Sequence, residues 1–335
     1  DFIKSISIAG LGMGMIGSSS LAGAMNKNKQ VHQTPIGMIG LDTSHSSAFT
    51  RIINGSDGKS GVSDFQIVAA YPYGSREIES SYSRIPGYTE EVKQMNVEIV
   101  DSIDELLEKV DVVLLETNDG RLHLEQALPV LIAGKRLFID KPIAASVKDA
   151  IAIVEASKQY NTPVFSSSSL RYLKTAQSIR HENMIGKVLG ADTYSPAVLE
   201  ETHPDLFWYG VHGVEILYTV MGTGCKTVTR VNTESTDIVT GKWDNGRLGT
   251  FRGIREGLHR YGGTAFGVDD NASLGSYEGY EPLLDNVLEF FRTGETPVSL
   301  DETLEIFAFM EAADESKRQG GASVDIDYVF SKARY

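Results

Sequence analysis

In the first half of the chain, short apolar runs alternate with longer stretches whose apolar residues recur at helical spacing. The runs are Ile36 to Leu41, "FQIVAAYPY" from Phe65, "VDVVLLET" from Val110, "RLFID" from Arg136 and "TPVFSSS" from Thr162. Between them, Ser46 or Ser47 caps a predicted helix through Ile53, which Asn54-Gly55 ends. Ser102 opens "SIDELLEKV", and "RLHLEQALPVLIAGK" and "SVKDAIAIVEASKQYN" supply two further helices. Strands alternating with helices predict parallel pairing through right-handed crossovers, hence an α/β fold built on a doubly wound sheet. No internal repeat or low-complexity segment interrupts the alternation.

Residues 1–30 stand apart from this pattern. "DFIK" leads an uncharged stretch from Ser5 to Ala24, in which Ala22 and Ala24 form the small-x-small pattern of a signal-peptidase site, and "NKNKQ" follows. "DFIK" also resembles the tail of a twin-arginine export motif. A truncated twin-arginine-type leader is therefore expected over 1–30, and with it an exported, periplasmic protein with no membrane span in its mature form. The rival reading makes "SISIAG" a first strand and "GMGMIG", Gly12 to Gly17, its phosphate loop. Such a loop needs a helix starting at its third glycine. "SSSLAGAMNKNKQ" follows instead, with neither an apolar period nor a second strand ending in an acid. The leader is preferred, and the glycine motif is a decoy.

The chain has 335 residues, 41% hydrophobic and 23% charged, which suits two domains of ordinary globular composition. A formal net charge of −14, with no long Lys/Arg run, argues against a nucleic-acid partner. The single cysteine, Cys225, excludes an internal disulfide and a cysteine-based zinc cluster. Seven histidines lie scattered without ligand spacing, so no metal site is expected.

The run ending near Gly40 has the strand–loop–helix context that "GMGMIG" lacks, although its loop is worn. Gly40 serves the tight turn, while Asp42 and His45 occupy the second and third glycine positions of a dinucleotide fingerprint. A carboxylate at the second position repels a pyrophosphate unless Asp42 points away. The second strand ends "AAYPYGSREIE", with Ser75 and Arg76 where an acid would bind the adenosine ribose. Arg76 suits a 2′-phosphate, which favours NADP modestly over NAD, or is simply a solvated residue at a helix start.

Asp140-Lys141-Pro142, after "RLFI", resembles the (E/D)-K-P motif of the Gfo/Idh/MocA oxidoreductases, the glucose–fructose oxidoreductase and inositol dehydrogenase family. "DVVLLETNDGRLHLEQALPVLIAGKRLFIDKP" is similar to that family's strand ending in Thr117, its H-x-x-x-A helix (His123, Ala127) and its Gly134-Lys135. "YGVHGVEILYTVMG" looks like its G-x-H-x-x-(D/E) helix, with Gly210, His212, Glu215 and Gly222, and "LDETLEIFAFMEAADESKRQGG" like its last helix. The resemblance implies a Rossmann domain over 31–168 and a C-terminal substrate and oligomerisation domain over 169–335. The latter would be α/β with an open, mostly antiparallel sheet, drawn from "KTVTRVNTESTDIVTGKW" and "RLGTFRGIREG". One face of that sheet would join a homo-oligomer, a dimer or tetramer. The resemblance also implies NAD or NADP, tightly held if the protein is exported. Its ligands would come from Gly40, Asp42, Thr43, Ser44, His45, Ser75, Arg76, Thr117, Asn118, His123, Asp140, Lys141 and Pro142.

Hydride transfer from a secondary alcohol needs a base for the hydroxyl proton and a positive group for the developing alkoxide. By resemblance these are His212 and Lys141. The plainer alternatives are a surface lysine and a helix histidine satisfied by Glu215. Trp208 stands where the family usually has an aspartate one turn before the histidine, and an indole cannot relay a proton. His203, Asp205 and Tyr209 are nearby substitutes, Trp208 and Tyr209 suit stacking on a sugar, and Arg171-Tyr172 resemble a substrate-side pair. Arg252, Arg255 and His259 are weaker candidates. Three functions follow. The first is an NAD(P)-dependent oxidoreductase acting on a sugar, glycoside or cyclitol. The second is redox-neutral glycoside cleavage or epimerisation through a transient keto-sugar. The third is a catalytically degenerate sugar-binding or scaffold protein.

Overall fold

The apolar runs become strands whose successive side chains point to opposite faces of a sheet, and both faces are covered. In a computed structural model of the chain, the described residues are 33–334 apart from 56–61, 63 and 276. The leader expected over 1–30, and with it "GMGMIG", lies outside them.

The first strands are β1 (Thr34–Ile39), β2 (Phe65–Tyr71), β3 (Glu98–Ile99), β4 (Val112–Leu115), β5 (Arg136–Asp140) and β6 (Val164–Ser167). They form one parallel sheet in the order β3-β2-β1-β4-β5-β6. The intervening helices are α1 (Ser44–Asn54), α2 (Glu79–Tyr82), α3 (Ile85–Gln94), α4 (Ile103–Lys109), α5 (His123–Ile132) and α6 (Val147–Gln159). This is the doubly wound Rossmann arrangement, and the central place beside β4 belongs to Thr34–Ile39. The strand order reverses between β1 and β4, which leaves a crevice at their carboxyl ends.

Alternation along each run sorts the core. Met38, Leu114 and Phe138 pack with Phe49 of α1 and Val92 of α3, whereas Ile39, Val113, Leu115, Leu137 and Ile139 pack with Leu106, Leu131 and Ile153 of α4, α5 and α6. Helix α1 starts ahead of the expected Ser46/Ser47 cap. Thr43 is extended (φ −125°, ψ 158°) and its side chain accepts from the His45 N–H, so the helix opens at Ser44.

After a 3₁₀ turn at Ser169–Tyr172 come α7 (Lys174–Glu182), β7 (Val188–Pro196), α8 (Asp205–Trp208), α9 (Val211–Met221), β8 (Cys225–Asn232), β9 (Thr236–Trp243), β10 (Leu248–Ile254), β11 (Gly262–Gly267) and β12 (Asn271–Ser273). The chain continues through α10 (Glu281–Thr293), α11 (Leu300–Arg318), β13 (Val324–Asp325) and α12 (Ile326–Ala333). The second sheet runs β12-β11-β7-β10-β9-β8-β13, parallel between β7 and β10 and antiparallel elsewhere. One face carries α9 and α11, and the other exposes Tyr194 and Leu248. Helix α9 is buried throughout and lies close on β10, because a Cβ at Gly213 would stand 2.3 Å from the Phe251 ring. Helix α10 returns to the first sheet, placing Leu284, Val287 and Phe290 beside Phe49, Phe138 and Phe165. Among the described residues, no helix is long and apolar enough to cross a membrane.

Candidate active site

The turn after β1 has a positive φ of 88° at Gly40, and a Cβ there would stand 2.4–2.6 Å from Thr117. Glycine is therefore required for the turn to lie against the end of β4. Asp42 is fully buried: Oδ2 accepts from the Ser75 N–H at 2.8 Å and Oδ1 from the Asn118 N–H at 2.9 Å. Its carboxylate ties together the loops after β1, β2 and β4. Burial pushes its pKa up against the pull of those two donors. The Gly74 position is equally tight, since a Cβ there would lie 2.2 Å from Asp42 Oδ2.

Two cavities flank this knot. One, of about 550 Å³, is lined by Tyr73, Arg76, Glu77, Asp104, Asp119, Arg121 and Glu125 among others. The second, of about 300 Å³, gathers Thr43, Ser44 and His45 at the start of α1 with Asn118, Asp140 and Lys141 from the ends of β4 and β5. It is also lined by Trp208, Tyr209, His212, Tyr261, Tyr277 and Tyr280, and Ser80, Arg84, Ser169 and Leu170 complete it.

Lys141 and His212, remote in sequence, thus share one cavity. The Tyr209 ring joins them, with its centroid 5.7 Å from the Lys141 ammonium and 5.7 Å from the His212 ring. Burial and the nearby ammonium push the His212 pKa well below its ordinary value, so the ring is neutral. Its Nδ1 lies 2.7 Å from Ser168 Oγ. In the tautomer that donates from Nδ1, Nε2 is a free base. The expected Glu215 partner is engaged elsewhere, accepting from Arg171 Nε at 2.7 Å.

At the cavity floor, His45 Nδ1 lies 2.9 Å from Asp140 Oδ2 and 3.7 Å from Glu116 Oε2. Burial pushes the Glu116 pKa up to about 7, with His45 opposing. Burial works against charge on His45, but Asp140 and Glu116 outweigh it and hold its pKa well above the usual value. Burial would also raise Asp140, yet His45 and Lys141 pull it down.

Other expected residues take different places. Arg171 is 2% exposed and locked between Glu215 and Glu302, so it is a core ion pair and not a substrate ligand. Tyr172 belongs to the apolar cluster under α10. Nε2 of His203 accepts from the Gly120 N–H at 3.1 Å, which fastens the chain before α8 to the loop after β4; burial lowers its pKa to about 4. Asp205, one candidate for the missing aspartate, pairs with Arg230 and Lys317. The His123 ring lies between two carbonyls at the ends of β4 and β5, Nε2 2.6 Å from that of Thr117 and Nδ1 3.3 Å from that of Ile143, and does not line the cavity. Pro142 packs near Gly120. Arg255 pairs with Asp237, His259 lies against the Arg255 carbonyl, and Arg252 lines a depression on the second sheet. Arg84, Glu116, Tyr261, Tyr277 and Tyr280 join the site without any motif in the sequence to announce them.

The donor set suits a dinucleotide. Helix α1 has no acid in its first turn, and Thr43, Ser44 and His45 at its N-terminus line a cavity that Asp42 does not. The same cavity is lined by Arg84, whose Nε is buried with no hydrogen-bond partner. Thr43, Ser44 and Arg84 would hold phosphate oxygens, and Asn118, Asp140 and Lys141 would surround the reactive end.

Residues 6–168 match the sequence model of GFO_IDH_MocA, described as an oxidoreductase family with an NAD-binding Rossmann fold. The matched span starts ahead of β1 and takes in "GMGMIG". An uncharacterized oxidoreductase of Streptococcus pneumoniae serotype 4 is 26% identical over 154 residues, which is 41% of this chain and 41% of that relative. Scyllo-inositol dehydrogenase from Lactobacillus casei, solved with NAD(H) and scyllo-inositol, superposes with a TM-score of 0.71 at 13% identity, covering 88% of this chain and 99% of its own. Myo-inositol 2-dehydrogenase from Lactobacillus plantarum gives 0.70 at 14% identity, with coverage of 88% and 99%. At these identities the two structures show a common fold.

Proposed function

We propose, for a chain whose residues 6–168 match the NAD-binding Rossmann family of Gfo/Idh/MocA oxidoreductases, that its smaller cavity interconverts a secondary alcohol and a ketone on a sugar, glycoside or cyclitol. A nicotinamide bound there supplies the hydride acceptor or donor. The observation that carries the reading is the meeting of Lys141 and His212 in that cavity, with Tyr209 between them. Lys141 holds the reacting oxygen and steadies negative charge on it. Neutral His212 takes the hydroxyl proton at Nε2. Trp208, Tyr209, Tyr261 and Tyr277 offer ring faces and phenol groups to a polyhydroxylated ring.

The larger cavity takes the adenosine end. Glu77, Asp104, Asp119 and Glu125 line it with Arg76, and Arg121 already pairs with Glu77 and Asp119. That balance favours NAD, whose 2′-hydroxyl is uncharged, over NADP. The leader-like composition of 1–30 supports export with the cofactor in place, and the exposed Tyr194–Leu248 face supports a homo-oligomer.

The test is to purify the protein folded, denature it and identify any released nicotinamide by absorbance and mass. Bound NAD, or micromolar binding on titration, supports the reading. Neither would leave a sugar-binding or scaffold protein. With cofactor present, glycosides are added: accumulation of NADH marks net oxidation, whereas released aglycone with cofactor unchanged marks the redox-neutral route.

A further inference from the structure

We propose that His45, Glu116 and Asp140 form a binding site for one divalent transition-metal cation, of the class of Zn²⁺ or Mn²⁺, at the floor of the smaller cavity. The three side chains come from the first turn of α1 and the ends of β4 and β5, and their candidate ligand atoms all lie within 4.8 Å of one another. Alternation explains the convergence. Glu116 and Asp140 are in phase with Leu114 and Phe138, which face α1, so both carboxylates point to the side where His45 starts the helix.

The second observation is that the acids lack donors. Glu116 and Asp140 are 0% and 1% exposed, yet both Glu116 oxygens and Asp140 Oδ1 have no hydrogen-bond partner. Buried carboxylates are ordinarily paired, hydrogen-bonded or metal-bound. A proton on His45 satisfies one such oxygen at most. Even the 2.9 Å contact of His45 Nδ1 with Asp140 Oδ2 lacks hydrogen-bond alignment. The separations of 2.9 and 3.7 Å between His45 Nδ1 and the two carboxylates suit donors grouped around a common centre about 2.0–2.2 Å from each. One imidazole and two carboxylates are a borderline-hard set, which favours zinc or manganese over calcium.

His45 and Asp140 also line the cavity, so the remaining coordination positions open toward Lys141 and His212. What the cation does there rests on the proposed function: it would hold a substrate hydroxyl beside Lys141 and ease its loss of a proton to His212. Binding of the cation itself does not depend on that reading.

The experiment uses the full chain. Metal content is measured by elemental analysis on protein purified without chelator. The same protein is then stripped and titrated calorimetrically with Zn²⁺ and Mn²⁺, and its visible spectrum is recorded after loading with Co²⁺. The expected results are close to one cation per chain, cobalt bands distinct from those of the hexaaqua ion, and a loss of affinity of at least about 10-fold in Glu116→Gln. The cobalt spectrum of the wild-type protein decides the matter even if that variant fails to fold. The proposal is overturned if stripped wild-type protein binds none of the three ions, or if a folded Glu116→Gln binds them unchanged. Release of nicotinamide on denaturation is scored separately, so a metal-free protein that yields NAD rejects the cation alone.

Discussion

Restoring the missing glycine of the fingerprint should damage this protein. Motif logic predicts that Asp42→Gly opens the turn to a pyrophosphate, but the Asp42 carboxylate is absent from both cavities and accepts from the buried Ser75 and Asn118 N–H groups. Its removal leaves two buried donors unpaired, at about 1–3 kcal/mol each, and a glycine adds roughly 0.5–1 kcal/mol of unfolded-state freedom. The net loss is on the order of 2.5–7 kcal/mol, or a Tm lower by about 4–10 °C in a chain of this size. Asp42→Asn keeps one acceptor and turns an NH₂ toward the second donor, so it should fall between wild type and Asp42→Gly. Urea unfolding of the cofactor-free proteins gives the stability order, and calorimetric titration with NAD gives the affinity. Dinucleotide affinity should drop in both variants, because the loops after β1, β2 and β4 lose their common tie. A glycine variant as stable as wild type, or one binding NAD more tightly, would place the carboxylate in the ligand's path and refute the reasoning.

Lys141→Ala should lower turnover by about 10²–10³ with Tm little changed, and near wild-type turnover would remove Lys141 from the chemistry. Arg84→Ala should weaken NAD by roughly tenfold, about 1.4 kcal/mol, as measured by titration, and unchanged affinity would leave the phosphates to α1 alone. Arg76→Ala should leave NAD affinity within about threefold, whereas a selective loss of NADP binding would assign Arg76 to a 2′-phosphate. His203 gives a pH dependence. With its folded pKa at about 4, below the free value of 6.5, the unfolded chain binds more protons between those limits. Its contribution is complete above pH 6.5 and fades toward pH 4, by about 3 kcal/mol at most. His203→Gln should flatten that limb in urea unfolding, and an identical limb would detach acid sensitivity from this latch.

The first sheet was readable because strands covered on both faces leave uninterrupted apolar runs, and because serine caps such as Ser102 mark helix starts locally. Lys141 and His212 were readable for a related reason: each sits in a short motif whose residues are neighbours in sequence. What escaped depends on distant partners. Arg171 beside Tyr172 has the look of a ligand, yet its partners are Glu215 and Glu302, and no local pattern announces a buried network. Tyr261, Tyr277 and Tyr280 come from loop and helix-edge positions that carry no period. Glu116 did leave a signal, an acid ending an apolar strand in phase with Leu114, but its meaning emerges only when β5 and α1 supply Asp140 and His45.

The worn loop yields to the same logic. In a dinucleotide turn the second and third glycines keep side chains out of the cleft and let the helix pack closely on the strand. Here both positions carry polar side chains that turn into the protein: Asp42 to the Ser75 and Asn118 amides, His45 to the acids at the ends of β4 and β5. At Asp42 the first requirement is met by direction instead of by absence, whereas His45 still lines the smaller cavity. The second is replaced by a polar contact where a tight glycine packing would lie. A turn built in this way depends on its partners: Asp42 on the Ser75 and Asn118 amides, His45 on Glu116 and Asp140. Of the fingerprint, only Gly40 remains fixed by backbone geometry alone, with its positive φ against Thr117.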